Sequence, residues 1–579
     1  MKKHKSLIAE AVIVKLLGSL GELSLPYILE YLIDDVAPTK SLNTALLWGG
    51  IMVLMALLTR FLNVTANRRG SLLAQKVTYD MRRDLFSNSI NLSGGQMDEF
   101  GLPSITSRMT SDSYNVQSFI RAMMAMGIRA PILLLGGICI TMTMDVGMSM
   151  ILCIIAPIVI VCVVLLSLKG IPLFEKVQRF LDKLVRIMRE NITGILVVKA
   201  LSKESYERNR FEEANEELTK SERTAGIVMS LPGPVMNFFL NIGLTLVVLL
   251  GAYRVNGGLT EPGVILAFLT YFNLILMGAM GLNRIFMMMS KANASAKRIE
   301  EVVVAPDELS ALSEAEAAST DSKAHIVFDG VSFGYSKNST AANSIAFDGG
   351  ERQMSLSDNS FEIEKGGSLG IIGATGSGKT TIINLLMRFY DASEGNIFIN
   401  GKDVRTYPLA ELRRMFGVVF QNDTVFADSL SQNIRFGRKV TDAEIKAAAA
   451  DACATEYIDE LEEGFMYQAA IHGANLTGGQ KQRLLIARAL AAKPQILILD
   501  DSSSALDYKT DAALRKAIRE HHGDSTTVII AQRISSIMTL DNIIMLDDGK
   551  IAGYGTHEHL LETCKAYREI YEAQMGEGE

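Results

Sequence analysis

Residues 368–381 read SLGIIGATGSGKTT: an apolar run, a loop of glycines and small residues, then a lysine and two threonines opening the helical stretch TIINLLMRFY. The spacing Gly-x4-Gly-Lys-Thr between a strand and a helix is that of a phosphate-binding loop. Gly373, Ala374, Thr375, Gly376, Ser377 and Gly378 are expected to turn backbone N–H groups toward phosphate oxygens. Lys379 neutralises their charge, Thr380 offers a hydroxyl to Mg2+, and Thr381 continues the helix start with its dipole. A strand feeding a helix through such a loop predicts an α/β domain. The runs FGVVF, QILILD, TTVIIA and NIIMLDDGKIAGYG supply further strands between helical segments, the alternation of a largely parallel sheet.

Working outward, QILILDDSSSALD over 495–507 is a buried-type strand ending in Asp500, the carboxylate expected to hold the hydration shell of Mg2+. Asp501 stands where P-loop enzymes often place the group that orients attacking water. Gln421 follows the strand in VVFQND, and Gln532 follows the strand in TTVIIAQRISSI. Between them GANLTGGQKQRLLIARAL carries a glycine turn, Leu476 to Gln480, that feeds a helix. Almost the same word, LSGGQ, occurs at 92–96. No comparable helix or strand follows it, so it reads as a helix break.

The first half is different in kind. Of 579 residues 48% are hydrophobic and 21% charged, too apolar for a chain that is soluble throughout. Six apolar segments near 7–33, 44–66, 122–144, 148–170, 232–253 and 263–286 are each about the 20 residues that cross a bilayer as a helix. Glu10, Lys15, Glu22, Arg60 and Arg284 interrupt them and are expected to snorkel or face protein. The basic MKKHK start and the long connections 67–121 and 171–231 are rich in Lys and Arg, which assigns them to the cytoplasm. The start reads as a retained first span rather than a leader.

A net charge of −7 gives no basic footprint for nucleic acid, and five scattered cysteines define neither a disulfide framework nor a metal site. Pro131, Pro157, Pro232 and Pro234 are candidate kinks, and methionines cluster in the spans, a surface suited to varied apolar ligands. The stretch 336–358, rich in small residues, reads as a mobile surface excursion. The reading is thus a multi-domain chain: an all-α, six-helix transmembrane domain over 1–305, a linker over 306–324 and an α/β nucleotide-binding domain over 325–579.

In this ordered set of motifs the chain resembles the ATP-binding cassette (ABC) transporters, specifically exporter-type half-transporters with a type IV-like membrane domain. The resemblance implies ATP and Mg2+ as cofactors and places the chain in the cytoplasmic membrane with its nucleotide domain in the cytoplasm. It makes Tyr335 the aromatic stacked on adenine, Gln421 the Q-loop residue near the metal, and Leu476, Thr477, Gly478, Gly479 and Gln480 the signature that closes on a partner's ATP. Asp507 ends the D-loop, and Gln532 occupies the switch-histidine position. ITSRMTSD and RENITGILVVKA are similar to the two intracellular loops whose tips dock on nucleotide domains. Two departures matter: Asp501 stands where the family usually has Glu, and Gln532 where it has His. Asp is one methylene shorter, and Gln cannot relay a proton. Ile471 also replaces a usual Glu ahead of the signature. The expectation is a degenerate-site subunit of a heterodimeric exporter of amphipathic small molecules, partnered by a second, non-identical half-transporter in membrane lipid. A homodimer with slow hydrolysis, a lipid or peptide exporter, and an importer on the same fold stay open.

Overall fold

The computed structural model describes residues 2–306, 309–313, 318–335, 354–502 and 504–575. It divides into two compact units, Met1–Ser89 with Thr106–Val304, and Ile90–Ile105 with Ala305–Glu579.

Among the described residues six helices, lying mainly in the first unit, are long and apolar enough to span a membrane: Lys5–Thr39, Leu42–Asn91, Leu102–Met144, Val146–Thr193, Glu204–Asn256 and Pro262–Val303. Helices are required here because lipid offers no partner for backbone N–H and C=O groups. Several run well past the apolar stretch into charged sequence. The last span supplies the centre of the core, with Phe268, Tyr271, Phe272 and Ile275 packed on Leu152, Ile155 and Val159. Close approach depends on glycine: a Cβ on Gly243 would lie 2.2 Å from the Phe272 ring.

Three of the five charges inside the spans, Glu10, Lys15 and Glu22, are met by protein, whereas Arg60 and Arg284 are exposed. Glu22 pairs with Arg129, the Lys15 ammonium donates to Asn63 and Asn67 at 2.9 and 3.1 Å, and Arg69 pairs with Glu10 at 3.1 Å. Pro232 opens the helix Pro232–Asn256 at its first position, where a missing N–H costs nothing. Pro157 lies inside the continuous helix Val146–Thr193. The cytoplasmic part of that helix forms a hairpin with Glu204–Ser230, joined by Lys183–Glu217 and Arg210–Glu190, both at 2.7 Å. At its tip the short helix Ile195–Ala200 leaves Leu196 79% exposed.

The second unit is built on two sheets. Strands β1 (Ile326–Gly334), β2 (Met354–Ile363), β4 (Glu394–Ile399) and β5 (Lys402–Asp403) form an antiparallel sheet in the order β2-β1-β4-β5. Strands β3 (Ser368–Gly373), β6 (Phe416–Val419), β7 (Ile496–Asp500), β8 (Thr526–Ile530), β9 (Asn542–Asp547) and β10 (Lys550–Gly555) form the second, ordered β10-β9-β3-β8-β7-β6. It is parallel except for β10. Strands β7 and β8 are buried along their whole length, as continuous apolar runs in a parallel sheet should be.

Three boundaries differ from the sequence reading. Residues 90–105 group with the nucleotide unit rather than the membrane domain. The described parts of the 306–324 linker are laid on that unit: Leu312 donates its N–H to Arg405 O, Ser310 O accepts from Arg388, and Ser319 bridges Lys402. Residues 354–358 of the supposed excursion belong to β2, where Leu356 pairs with Phe333; residues 336–353 lie outside the described residues.

Candidate functional site

The parallel strands deliver the predicted residues to one edge of the sheet. The phosphate loop follows β3, Asp500 ends β7, and Gln532 lies just past β8. Gly376 and Gly378 hold φ of +86° and +101°, a region that side chains other than glycine rarely adopt. This is the local reason for the glycine pattern. A Cβ on Gly378 would also meet Ser355 O at 2.6 Å, whereas one on Gly376 would meet open space.

Lys379 folds back over its own loop, donating to Gly373 O at 2.8 Å and Ala374 O at 2.7 Å. Burial lowers its pKa, against the pull of Asp500 and Asp501. Ser377 is buried, and among the described residues its hydroxyl has no hydrogen-bond partner. A desolvated ammonium satisfied only by carbonyls, an orphaned hydroxyl and an open glycine fit a polyphosphate anion.

The Thr380 hydroxyl donates to Asp500 Oδ2 at 3.2 Å. Burial pushes the Asp500 carboxyl up, while bonds from Thr380 and the Gln421 backbone oppose the shift. Among the described residues no three His, Cys, Asp or Glu side chains gather as a metal cage. One hydroxyl beside one carboxylate suits Mg2+, which takes few protein ligands and completes its shell with phosphate oxygens and water.

Asp501 adopts φ +50°. The Gln532 amide donates to its Oδ2 at 2.9 Å, so the two residues that depart from the family pattern are bonded to each other. Burial raises the Asp501 carboxyl, with Lys379 and Gln532 pulling it back. Gln574, on the helix Lys565–Met575, donates to Gln532 O and accepts from Ile534 N–H, both at 2.8 Å. Sequence reasoning missed this clasp, because no local pattern links two glutamines 42 positions apart.

Tyr335 stands beside the helix start, its hydroxyl 3.3 Å from both Thr381 Oγ1 and Asn384 Nδ2. Its ring meets Phe333 and Tyr390 edge-on at 4.9 and 5.2 Å. Leu476 to Gln480 lie elsewhere, with Ala505 of SALD 3.7 Å from a Cβ built on Gly478. No hydrogen bond among the described residues joins this turn to the phosphate loop. Asp507 caps the helix Tyr508–His521, accepting from Thr510 N–H at 2.9 Å, and Ile471 is 71% exposed.

The two near-identical words fold identically. Ser93 and Thr477 each cap a helix in a reciprocal box with the glutamine three residues on, as the S/T-x-x-Q spacing dictates. Their surroundings differ. Thr477 and Gly478 are exposed, but a Cβ on Gly94 would lie 2.7 Å from the Tyr390 ring and 2.8 Å from Phe389 O. Gly94 N–H donates to that carbonyl at 3.0 Å, and Tyr390 OH donates to Asp98 Oδ2 at 2.7 Å. LSGGQ thus ends one helix and starts another, Gly94–Phe100, which seats on the nucleotide unit. Within ITSRMTSD, Arg108 and Asp112 bond to Glu301 and Arg298 of the membrane unit.

A phosphate loop on a parallel sheet, joined in one chain to six membrane-length helices, defines a nucleotide-driven membrane transporter. Residues 8–280 match the family model described as the ABC transporter transmembrane region, and residues 356–504 match that described as ABC transporter. The chain is 33% identical over 578 residues to the uncharacterized ABC transporter ATP-binding protein YfiB of Bacillus subtilis (strain 168), covering 99% of this chain and 97% of that one. It is 30% identical, with the same coverage, to the uncharacterized ABC transporter ATP-binding protein Rv1273c of Mycobacterium tuberculosis. The fold is similar to a bacterial Atm1-family ABC exporter solved with ATP bound, at a TM-score of 0.81 and 24% identity, covering 100% of this chain and 99% of that one.

The chain belongs to the ABC transporter family. It is a multi-pass membrane protein with the fold of an ABC exporter and an ATP-hydrolysing nucleotide-binding domain in the cytoplasm.

Proposed function

We propose that this chain is the degenerate-site half of a two-chain exporter, paired with a non-identical half-transporter that carries Glu and His at the replaced positions. Its own phosphate loop, Gly373 to Thr381, binds ATP, with Thr380, Gln421 and Asp500 around Mg2+ and Tyr335 against the base. Bound Mg2+ supplies charge neutralisation at the phosphates.

The observation that carries the reading is the 2.9 Å bond from Gln532 to Asp501. The short carboxylate, set at a left-handed backbone position, is held back by an amide that can neither carry charge nor relay a proton. Misplacing such a group lowers rate by about 10² to 10⁴, while the binding elements stay intact. Leu476 to Gln480, with Thr477 and Gly478 exposed and the D-loop ending in Asp507 alongside, serve the partner's ATP. The cargo is an amphipathic small molecule, on the ground that flexible methionines such as Met123, Met142, Met277 and Met280 are exposed on the spans.

The test is ATP turnover by the purified chain alone and with its partner. Slow turnover alone and fast turnover of the pair support the proposal. Full-rate hydrolysis by the chain alone rules it out.

A further inference from the structure

The loop that carries Gln532 is fixed at both ends and nearly bare in the middle. On one side β8 is buried along its length, and Ala531 donates its N–H to Ile371 O at 3.2 Å. On the other, Ile534 and Ile537 are fully buried, and Ile534 opens the short turn Ile534–Ser536. Gln532 and Arg533 between them are exposed. Arg533 lies over the Tyr508 ring at 5.3 Å, and Arg515 donates to Ser535 O at 2.7 Å; neither bonds the backbone of 532. Among the described residues the Gln532 backbone has one hydrogen-bond partner, the side chain of Gln574.

That side chain comes from the helix Lys565–Met575. Tyr567, Ile570, Tyr571 and Gln574 recur at three- and four-residue steps, a spacing that places them on one face. Tyr567 is fully buried, with its hydroxyl 2.8 Å from His557 Nδ1, and Ile570 and Tyr571 pack on the core. The apolar part of the face seats the helix, and its last turn presents Gln574 to the loop.

Both ends of the Gln574 amide are used. Nε2 donates to Gln532 O and Oε1 accepts from Ile534 N–H, each at 2.8 Å. The first N–H of a helical turn has no partner within the turn, and no neighbouring side chain caps this one. A carboxamide supplies donor and acceptor together, and only one orientation of it satisfies both bonds. A carboxylate at 574 could accept from Ile534 but could not donate to Gln532.

Gln532 in turn donates its own amide to Asp501 Oδ2 at 2.9 Å. A long, exposed side chain gives up rotamer freedom to keep such a bond, so the bond depends on a backbone that stays still. We propose that Gln574 is a positioning residue: it holds the backbone of Gln532, and so keeps the Gln532 amide on Asp501 and the carboxylate restrained from attacking water. This rests on the reading that the Gln532 amide restrains Asp501.

The test is single-turnover cleavage of Mg-ATP by an excess of the purified full-length chain, with ATP affinity and melting temperature measured on the same samples. Gln574→Ala should raise the cleavage rate about fivefold, the worth of one exposed hydrogen bond, and leave ATP affinity unchanged. Gln574→Glu keeps the acceptor for Ile534 and loses only the donor to Gln532, so it should raise the rate as much at the native melting temperature. Gln532→Ala should give the same rise, and combining it with Gln574→Ala should add nothing, because the second residue acts through the first. If Gln532→Ala raises the rate and the Gln574 variants do not, the role of Gln574 is overturned while the restraint on Asp501 stands. If Gln532→Ala gives no rise, the restraint falls and the proposal falls with it. A gain in Gln574→Ala that is missing from Gln574→Glu, or that adds to the gain of Gln532→Ala, would mark Gln574 as a packing residue and would equally overturn the proposal.

Discussion

Replacing Asp501 by Glu and Gln532 by His tests how the site was weakened. One added methylene carries the carboxylate roughly 1 Å further from the backbone, and misplacement by that distance at a reacting centre is worth about 10² in rate. An imidazole at 532 adds a group able to carry a proton, worth about 10² or more. The contributions are not independent, because Gln532 Nε2 and Asp501 Oδ2 are 2.9 Å apart and neighbours in contact couple. The double variant is expected to gain between about 10² and 10⁴ in turnover, with each single variant gaining less than half of that on a logarithmic scale. Glu fits the left-handed backbone at 501 less well than Asp, at about 1 kcal/mol, so turnover must be normalised to folded protein. The assay is phosphate release at saturating Mg-ATP from the purified chain reconstituted without its partner, with ATP affinity measured separately. If the native chain already turns over near about 10 s⁻¹, a common enzyme rate, the reasoning fails. It fails equally if the double variant binds ATP normally and gains nothing.

Further outcomes follow from the same geometry. Gly94→Ala should cost about 1–3 kcal/mol of stability, since its Cβ would sit 2.7 Å from Tyr390, whereas Gly478→Ala, with 3.7 Å of room, should melt like the native chain yet slow ATP turnover. Calorimetry with turnover on the same samples separates the two. Tyr390→Phe removes the hydroxyl that meets Asp98; thermal stability should fall by about 1 kcal/mol, and stimulation of ATPase by cargo should fall by more than basal ATPase does. Burial raises the Asp500 carboxyl, so its ionised form destabilises the nucleotide-free fold above the raised folded pKa, and this cost disappears as pH falls toward the ordinary carboxylate range. Asp500→Asn should therefore raise the melting temperature at neutral pH while abolishing the Mg2+ dependence of hydrolysis; a lower melting temperature would contradict the assignment.

The site was legible where chemistry is local in sequence. Gly376 and Gly378 announce their positive φ, Thr477 and Gln480 announce a capping box, and the run ILILD announces a buried parallel strand. The six spans were legible because bilayer thickness sets a length. What stayed hidden depends on residues far apart along the chain. Gln574 meets Gln532 across 42 positions, and Asp98 meets Tyr390 across 292; neither pair carries a periodic signature. The antiparallel sheet escaped because β2 begins inside a stretch of small polar residues that resembles a loop. The contact of the helix after LSGGQ also stayed hidden, because its glycines signal a break without saying what the next helix rests on.

The twin capping boxes make the molecule its own reference for hydrogen exchange. The Gln96 and Gln480 amides each donate to a cap hydroxyl, at 3.0 and 3.3 Å, within the same five-residue frame, so intrinsic chemistry and local geometry nearly cancel between them. The difference in their exchange rates then measures how often Gly94 lifts away from Tyr390. Followed through a turnover cycle, the ratio of the two amides would time the undocking of that helix without any label being introduced.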